Sequence, residues 1–235
     1  MKNLILASTS TLHGQEYLEY ILPQLKQHFA GCSEILFIPY ARPGGISHKE
    51  YTEVAAKAFT KVGIKVKGIH EFEEPREAVA KAEGIFTGGG NTFLLVQQLY
   101  THDLLTPLNT AISKGTPYLG TSAGTNVAGL TMKTTNDMPI VYPPSFKTLG
   151  FVPFNINPHY LDPDPNSTHK GETRETRIKE FHCFNNQPVV GLREGSWLEV
   201  KGNDISLKGD KTARIFKTGK EAYEVEPQSK LNDLR

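Results

Sequence analysis

The sequence predicts an α/β fold, a parallel sheet flanked by helices and finished by C-terminal β-hairpins. Three observations predict it. Short apolar runs alternate with helical patterns over the first two-thirds of the 235 residues. Ile35-Leu36-Phe37-Ile38-Pro39 is continuously apolar, as a strand buried on both faces must be. From Ser196 onward the residues alternate and turn at Gly202-Asn203-Asp204 and Gly209-Asp210, which is hairpin patterning.

The elements follow in order. Leu4 to Ala7 reads as a strand and Glu16 to Phe29 as an amphipathic helix. After the strand at Ile35, a helix runs from about Lys49 to Val62 and stops at Gly63. Ile64 to Ile69 alternates like a half-buried strand, Glu74 to Glu83 is helical, and Gly84-Ile85-Phe86-Thr87 is a short strand. Gly88-Gly89-Gly90-Asn91-Thr92 leads into a helix from Phe93 to about Tyr100, and a further helix ends at Lys114-Gly115, a typical helix stop. Pro117-Tyr118-Leu119-Gly120 then reads as a strand entering a sharp turn at Ser122. Residues 131–170 are polar, proline-rich and weakly periodic, which in a compact domain marks a functional segment more often than a connector. Arg174 to Phe184 is expected as a helix and Pro188 to Leu192 as a buried strand. The last ten residues read as frayed, and residues 1–235 read as one domain.

Composition narrows the function. Twenty-six Lys and Arg against 25 Asp and Glu leave no basic excess to displace counterions, so a dedicated nucleic-acid binder is excluded. No run approaches the roughly 20 apolar residues of a membrane span. The N-terminal Met1–Ser8 stretch has one positive charge and too short an apolar run for a signal peptide, so a cytoplasmic location is expected. The two cysteines, Cys32 and Cys183, have no metal-ligand spacing and read as small core residues. Neither a metal nor another cofactor is expected, and the oligomeric state is read as monomer or homodimer.

The chemistry centres on Gly120-Thr121-Ser122-Ala123-Gly124, which fits the G-x-S-x-G nucleophile elbow. A serine between a strand and a helix start is exposed at the sheet's carboxyl edge, where backbone N–H groups face a developing oxyanion. A turn with an N-capping serine gives the same string, so the elbow needs support. Gly88-Gly89-Gly90 supplies it: a glycine run between strand and helix brings N–H groups close to a ligand. No Gly-Lys-Ser/Thr follows and the dinucleotide spacing is absent, so an oxyanion hole fits better than a phosphate loop.

A serine nucleophile needs a base, and the base an orienting acid. His159 follows the apolar Phe151-Val152-Pro153-Phe154 run and ends a strand-like segment on the expected side of the sheet. His13, His28, His48, His70 and His102 read as mostly exposed; His169 falls in a polar loop and His182 inside a helix. Two acids compete for the third place, Asp137 shortly after the elbow helix and Glu194 after the buried Pro188–Leu192 strand. Only 37 positions separate Ser122 from His159, too few for the general α/β-hydrolase order. That spacing points to a different fold with a convergent triad.

Five blocks in order resemble the peptidase E family of α-aspartyl dipeptidases: Phe86–Phe93, Gly120–Asn126, Thr135–Val141, Asn157–Tyr160 and Gly171–Arg174. The resemblance runs through most of the chain. It implies a flavodoxin-like fold similar to class I glutamine amidotransferases, with serine where the glutaminases carry cysteine. It also implies hydrolysis of dipeptides with an N-terminal aspartate, without a metal. By resemblance Ser122 is the nucleophile and His159 the base. The oxyanion hole comes from Ala123 and a glycine of the Gly88–Gly90 run, Gly89 or Gly90. Asp137 and Glu194 carry over as functional acids.

An Asp-Xaa substrate brings a cationic amine and an anionic side chain. The first calls for an acid, the second for an arginine able to bind bidentately. Arg174 and Arg177, one helical step apart, are the candidates, with Arg174 favoured because it lies in a matched block; an exposed ion-pair face with Glu172, Glu175 and Glu180 is the plainer reading. One of Asp137 and Glu194 is expected to orient His159 and the other to face the amine. Two rivals remain: a cyanophycinase-like aspartyl peptidase, and a non-catalytic ligand-binding module on the same fold.

Overall fold

The computed structural model describes residues 1–234 apart from 165, 167 and 169. Strands β1 (Asn3–Ala7), β2 (Glu34–Ile38), β3 (Lys65–Gly68), β4 (Ile85–Thr87) and β5 (Tyr118–Thr121) alternate with helices α1 (Leu22–His28), α2 (His48–Thr60), α3 (Pro75–Lys81), α4 (Thr92–Thr101) and α5 (Leu105–Lys114). These five strands are parallel, in the order β3-β2-β4-β5-β1. Their residues bury both faces alternately. Leu4, Leu6, Leu36, Ile38 and Ile85 pack on one side with Val79, Leu95, Leu99 and Leu108. Ile5, Ala7, Ile35, Phe37 and Phe86 pack on the other with Leu25, Ala55 and Phe59. A strand that is wet on neither face has no place for a polar alternation, hence the continuous apolar runs.

After β5 come the short helix α6 (Ala123–Asn126), β6 (Asn155–Pro158), α7 (Arg174–His182), β7 (Val189–Leu192), β8 (Ser196–Lys201), β9 (Asp204–Gly209), β10 (Ala213–Phe216) and β11 (Tyr223–Val225). The β8–β9 hairpin adds antiparallel to β1 and completes a seven-stranded sheet. The other four form a second sheet, β11-β10-β7-β6, whose Ile156, Val190, Leu192 and Ile215 join the core on the face of the first sheet that carries α4 and α5.

The α/β class with a parallel-rich sheet and helices on both faces holds; several local expectations need correction. The helix expected over Glu16–Phe29 is a 3₁₀ turn at Glu19–Ile21 and then α1, because Pro23 is tolerated only in a helix's first turn. The strand before His159 is Asn155–Pro158; Phe151, Val152 and Phe154 are buried but irregular, and their apolar character reflects core packing rather than pairing. The C-terminal residues are docked: Leu231 and Leu234 are buried, and Leu231 N–H donates to Ile205 C=O at 2.8 Å. Cys183 is exposed just past α7, and Cys32 is partly exposed beside Glu83. No helix among the described residues is long and apolar enough to cross a membrane.

Candidate active site

Helix α2, after β2, packs on one face of the sheet and α4, after the neighbouring β4, on the other, the arrangement that places ligand sites at the carboxyl edge of an open α/β sheet. Ser122 stands at this edge, between β5 and α6, with φ 52° and ψ −111°. That region disfavours a residue with a Cβ and costs on the order of 1–3 kcal/mol. The surroundings hold it there. Ser122 N–H donates to Ala7 C=O at 3.2 Å, and its own carbonyl accepts from Thr125 and Asn126 N–H at 2.9 Å each. The flanking glycines are needed for clearance: a Cβ on Gly124 would sit 2.1 Å from Thr87 O, and one on Gly120 2.5 Å from Gly124 O.

The triglycine loop lies against this turn. A Cβ on Gly89 would come within 2.9 Å of Ser122 Cβ, and one on Gly90, at φ +143°, within 2.3 Å of Ala41 O. The two glycines differ in what their N–H groups do. Gly89 N–H donates to the buried Tyr51 hydroxyl at 3.0 Å, and that hydroxyl donates back to Gly89 C=O at 3.2 Å. Among the described residues, the N–H groups of Gly90 and Ala123 have no partner. Gly89 therefore gives clearance, and its donor is already committed. Tyr51 is a residue that sequence reading passes over, since a tyrosine on an amphipathic helix looks like core. Arg42 stacks on its ring at 4.7 Å.

His159 directly follows β6, with φ 52°, and its Nδ1 lies 2.6 Å from Glu194 Oε1. A carboxylate accepts, so Nδ1 carries the proton and Nε2 is left as the basic nitrogen. Glu194 follows Arg193, whose guanidinium binds Asp162 (2.7 and 2.6 Å) and Glu224 (2.8 and 3.1 Å) bidentately. Hydrogen bonds from Arg193 pull the Glu224 carboxyl down to about 2 and hold Asp162 below the usual carboxylate range. The residue that presents Glu194 is thus anchored on two sides. No hydrogen bond joins Ser122 Oγ to His159 among the described residues; such bonds often tighten only in the substrate complex.

Asp137 stands elsewhere. Its Oδ2 accepts from Thr92 N–H at 2.7 Å, from the Thr92 hydroxyl at 2.6 Å and from the Thr135 hydroxyl at 3.0 Å. It therefore caps the start of α4, the helix that the triglycine loop enters, and Asn91 Nδ2 adds a bond to Met138 C=O. The polar segment after Leu130 is pinned to β6 as well. Asn136 donates to Pro158 C=O at 2.8 Å and Asn157 to Thr134 C=O at 2.8 Å.

Arg174 begins α7, after Thr173 has capped it by accepting Thr176 N–H. It lines a cleft of about 790 Å³ together with His159, Asp162, Arg193 and Glu194. Burial lowers the Arg174 pKa, Arg177 lowers it further, and the Asp137 charge opposes both. Arg177 lines an adjoining cleft of about 460 Å³ that Arg174 shares but His159 does not. The exposed ion-pair face is not what forms. Glu175 pairs with Lys179 and Arg214, and neither Arg174 nor Arg177 makes an ion pair among the described residues.

Of the histidines expected to be mostly exposed, His13 is exposed, whereas His28, His48, His70 and His102 are half-buried. His28 is partly buried with Nε2 at 3.1 Å from Tyr118 O, and His48 and His102 pack on Tyr40. His182 lies in α7, bound to Gln187 C=O, while His169 lies outside the described residues. Among the described residues no group of three or more His, Cys, Asp and Glu could hold a metal ion.

The sequence profile of Peptidase family S51 matches residues 4–208. The chain is 49% identical to Peptidase E of Streptomyces coelicolor over 232 residues, covering 99% of this chain and 94% of the other. It is 46% identical over 236 residues to a Drosophila melanogaster protein named "Probable alpha-aspartyl dipeptidase", covering 99% and 97%. The fold is similar to that of a peptidase from an acI-B1 actinobacterium, with a TM-score of 0.73 over 98% of this chain and 96% of that one at 17% identity. With a strained serine elbow, a paired histidine and glutamate at one sheet edge, and these matches along its length, the chain belongs to peptidase family S51.

Proposed function

We propose that this chain is a serine-type dipeptidase that hydrolyses Asp-Xaa dipeptides through an acyl-enzyme. The observation that carries the reading is the strained Ser122 elbow at a strand's carboxyl end, with the N–H groups of Gly90 and Ala123 unpartnered among the described residues; the His159–Glu194 pair supports it. Ser122 Oγ attacks the scissile carbonyl as His159 Nε2 takes its proton, and Gly90 and Ala123 N–H stabilise the oxyanion. The imidazolium returns the proton to the leaving amine. Water, deprotonated by the same nitrogen, then releases the aspartate.

The 2.6 Å contact with Nδ1 supports Glu194 as the orienting acid. Asp137 takes the second acidic role. Its Oδ2 holds the start of α4, and its other oxygen, with no hydrogen bond among the described residues, is available to the substrate ammonium. Arg174, in the cleft of His159, is the clamp for the aspartate side chain, and Arg177 reinforces the positive field from the next turn.

Hydrolysis of Asp-Leu tests the reading. The wild-type chain should cleave it and leave Leu-Leu intact, and Ser122→Ala should lose on the order of 10⁴-fold or more in kcat. Turnover unaltered in Ser122→Ala would leave a binding module, and cleavage of a branched aspartyl–arginine polymer alone would favour the cyanophycinase-like rival.

A further inference from the structure

The nucleophile, the base and the acid come from three different strands, and in this structure all three converge on the dipeptide Ala7-Ser8 at the carboxyl end of β1. Ala7 C=O accepts Ser122 N–H at 3.2 Å and the Thr125 hydroxyl at 2.6 Å, fixing the elbow from below. Ser8 lies one residue on and is fully buried. Its hydroxyl accepts His159 N–H at 2.9 Å and donates to Leu192 C=O at 2.7 Å. His159 is the residue with the left-handed φ, and Leu192 stands two residues before Glu194. Ser8 N–H in turn donates to Ser196 C=O at 3.1 Å, so its backbone is held to β8 of the first sheet while its side chain reaches the second sheet.

We infer that Ser8 is a positioning residue for the catalytic centre, its one hydroxyl setting the height of His159 and of the Glu194 strand against Ser122. This rests on the reading of Ser122 and His159 as nucleophile and base. No other polar side chain makes both contacts among the described residues. A hydroxyl is suited to the place because it must accept on one side and donate on the other; an alanine leaves the His159 N–H without its acceptor and Leu192 C=O with Tyr160 N–H, at 3.1 Å, as its remaining donor. The left-handed backbone at His159 then loses the bond that helps to hold it, and the imidazole drifts relative to Ser122 Oγ. A displacement near 1 Å between reacting groups costs about 100-fold in rate.

The test is the rate at which a serine-directed phosphonate labels Ser122, per titratable site, in wild type, Ser8→Ala, Ser8→Cys and Ser8→Thr. Ser8→Ala should react about 30–100-fold more slowly, Ser8→Cys should fall between, and Ser8→Thr, which keeps the hydroxyl, should stay close to wild type. If Ser8→Ala does not fold, Ser8→Cys carries the same comparison. Ser8→Ala combined with Glu194→Gln should be only a few-fold slower than Glu194→Gln alone, since both act through His159. A purely structural role lowers the melting temperature and the yield of sites without changing the rate per site, and that result, or fully multiplicative losses, overturns the inference. The phosphonate needs no aspartyl group, so wild type that is labelled but does not cleave Asp-Leu sinks the dipeptidase reading and leaves Ser8 standing. Wild type that is not labelled removes both.

Discussion

Replacing Glu194 by glutamine isolates the acid behind the base. In the proposed mechanism His159 is an imidazolium in both transition states, and the Glu194 carboxylate stabilises it from 2.6 Å. Coulomb attraction at that distance is worth about 1.6 kcal/mol in a fully aqueous dielectric and about 6 kcal/mol at an effective value of 20. The Glu194 side chain is 51% exposed, so the lower half of the range applies, about 2–4 kcal/mol. At 1.36 kcal/mol per decade this is a loss of roughly 30–1,000-fold in kcat. KM for Asp-Leu should change little, because in the proposed mechanism Glu194 acts on His159 and not on the bound substrate. The assay is steady-state hydrolysis of Asp-Leu at pH 7.5 by Glu194→Gln and Asp137→Asn. Asp137→Asn weakens the cap on α4 and the site for the substrate amine, so its defect should include a raised KM. A kcat for Glu194→Gln within threefold of wild type, with the larger kcat loss in Asp137→Asn, would refute the assignment.

Two further expectations follow from the same geometry. Gly89→Ala places a Cβ 2.9 Å from Ser122 Cβ and 3.3 Å from Thr121 O, so loop or elbow must shift; stability should fall by about 1–3 kcal/mol and kcat by roughly 10–100-fold, read by thermal melts and Asp-Leu turnover. His28, on the Tyr118 carbonyl, has its pKa pushed by burial from the ordinary 6.5 down to about 4. A depressed folded value means the unfolded chain binds the extra proton first. Stability is thus fully present above pH 6.5 and is lost as the pH falls toward 4, by up to about 3 kcal/mol. His28→Gln should flatten that slope in urea melts at pH 4–7, and an unchanged slope would place the acid sensitivity elsewhere.

The features legible in the sequence are the ones encoded by neighbours a few residues apart. Apolar runs at Ile35–Ile38 and Tyr118–Leu119 specify buried strands, because a strand without a wet face has no polar position. Glycines at 120 and 124 specify a turn too tight for a Cβ, which makes Ser122 conspicuous. Pro23 inside the first expected helix also carried local information, since it marks where that helix must begin.

What the tertiary structure alone decided is which distant groups meet. The choice between two acids is a choice between bonds spanning 35 residues, from His159 to Glu194, and 45 residues, from Asp137 to Thr92. Both acids follow plausible elements, and no local pattern separates them. The Ser8 contact with His159 spans 151 residues and depends on a second sheet whose four strands read, in the sequence, as ordinary strands and terminal hairpins. Gly89 and Gly90 are identical in sequence terms; only the packing of Tyr51 engages the N–H of one and spares the other. The chain's local chemistry determined that a serine stands in a tight turn at a strand's carboxyl end. The packing of two sheets determined which acid meets His159 and which N–H of the triglycine loop is engaged, because side-chain hydrogen bonds are set by the positions of whole elements rather than by the residues beside them in the chain.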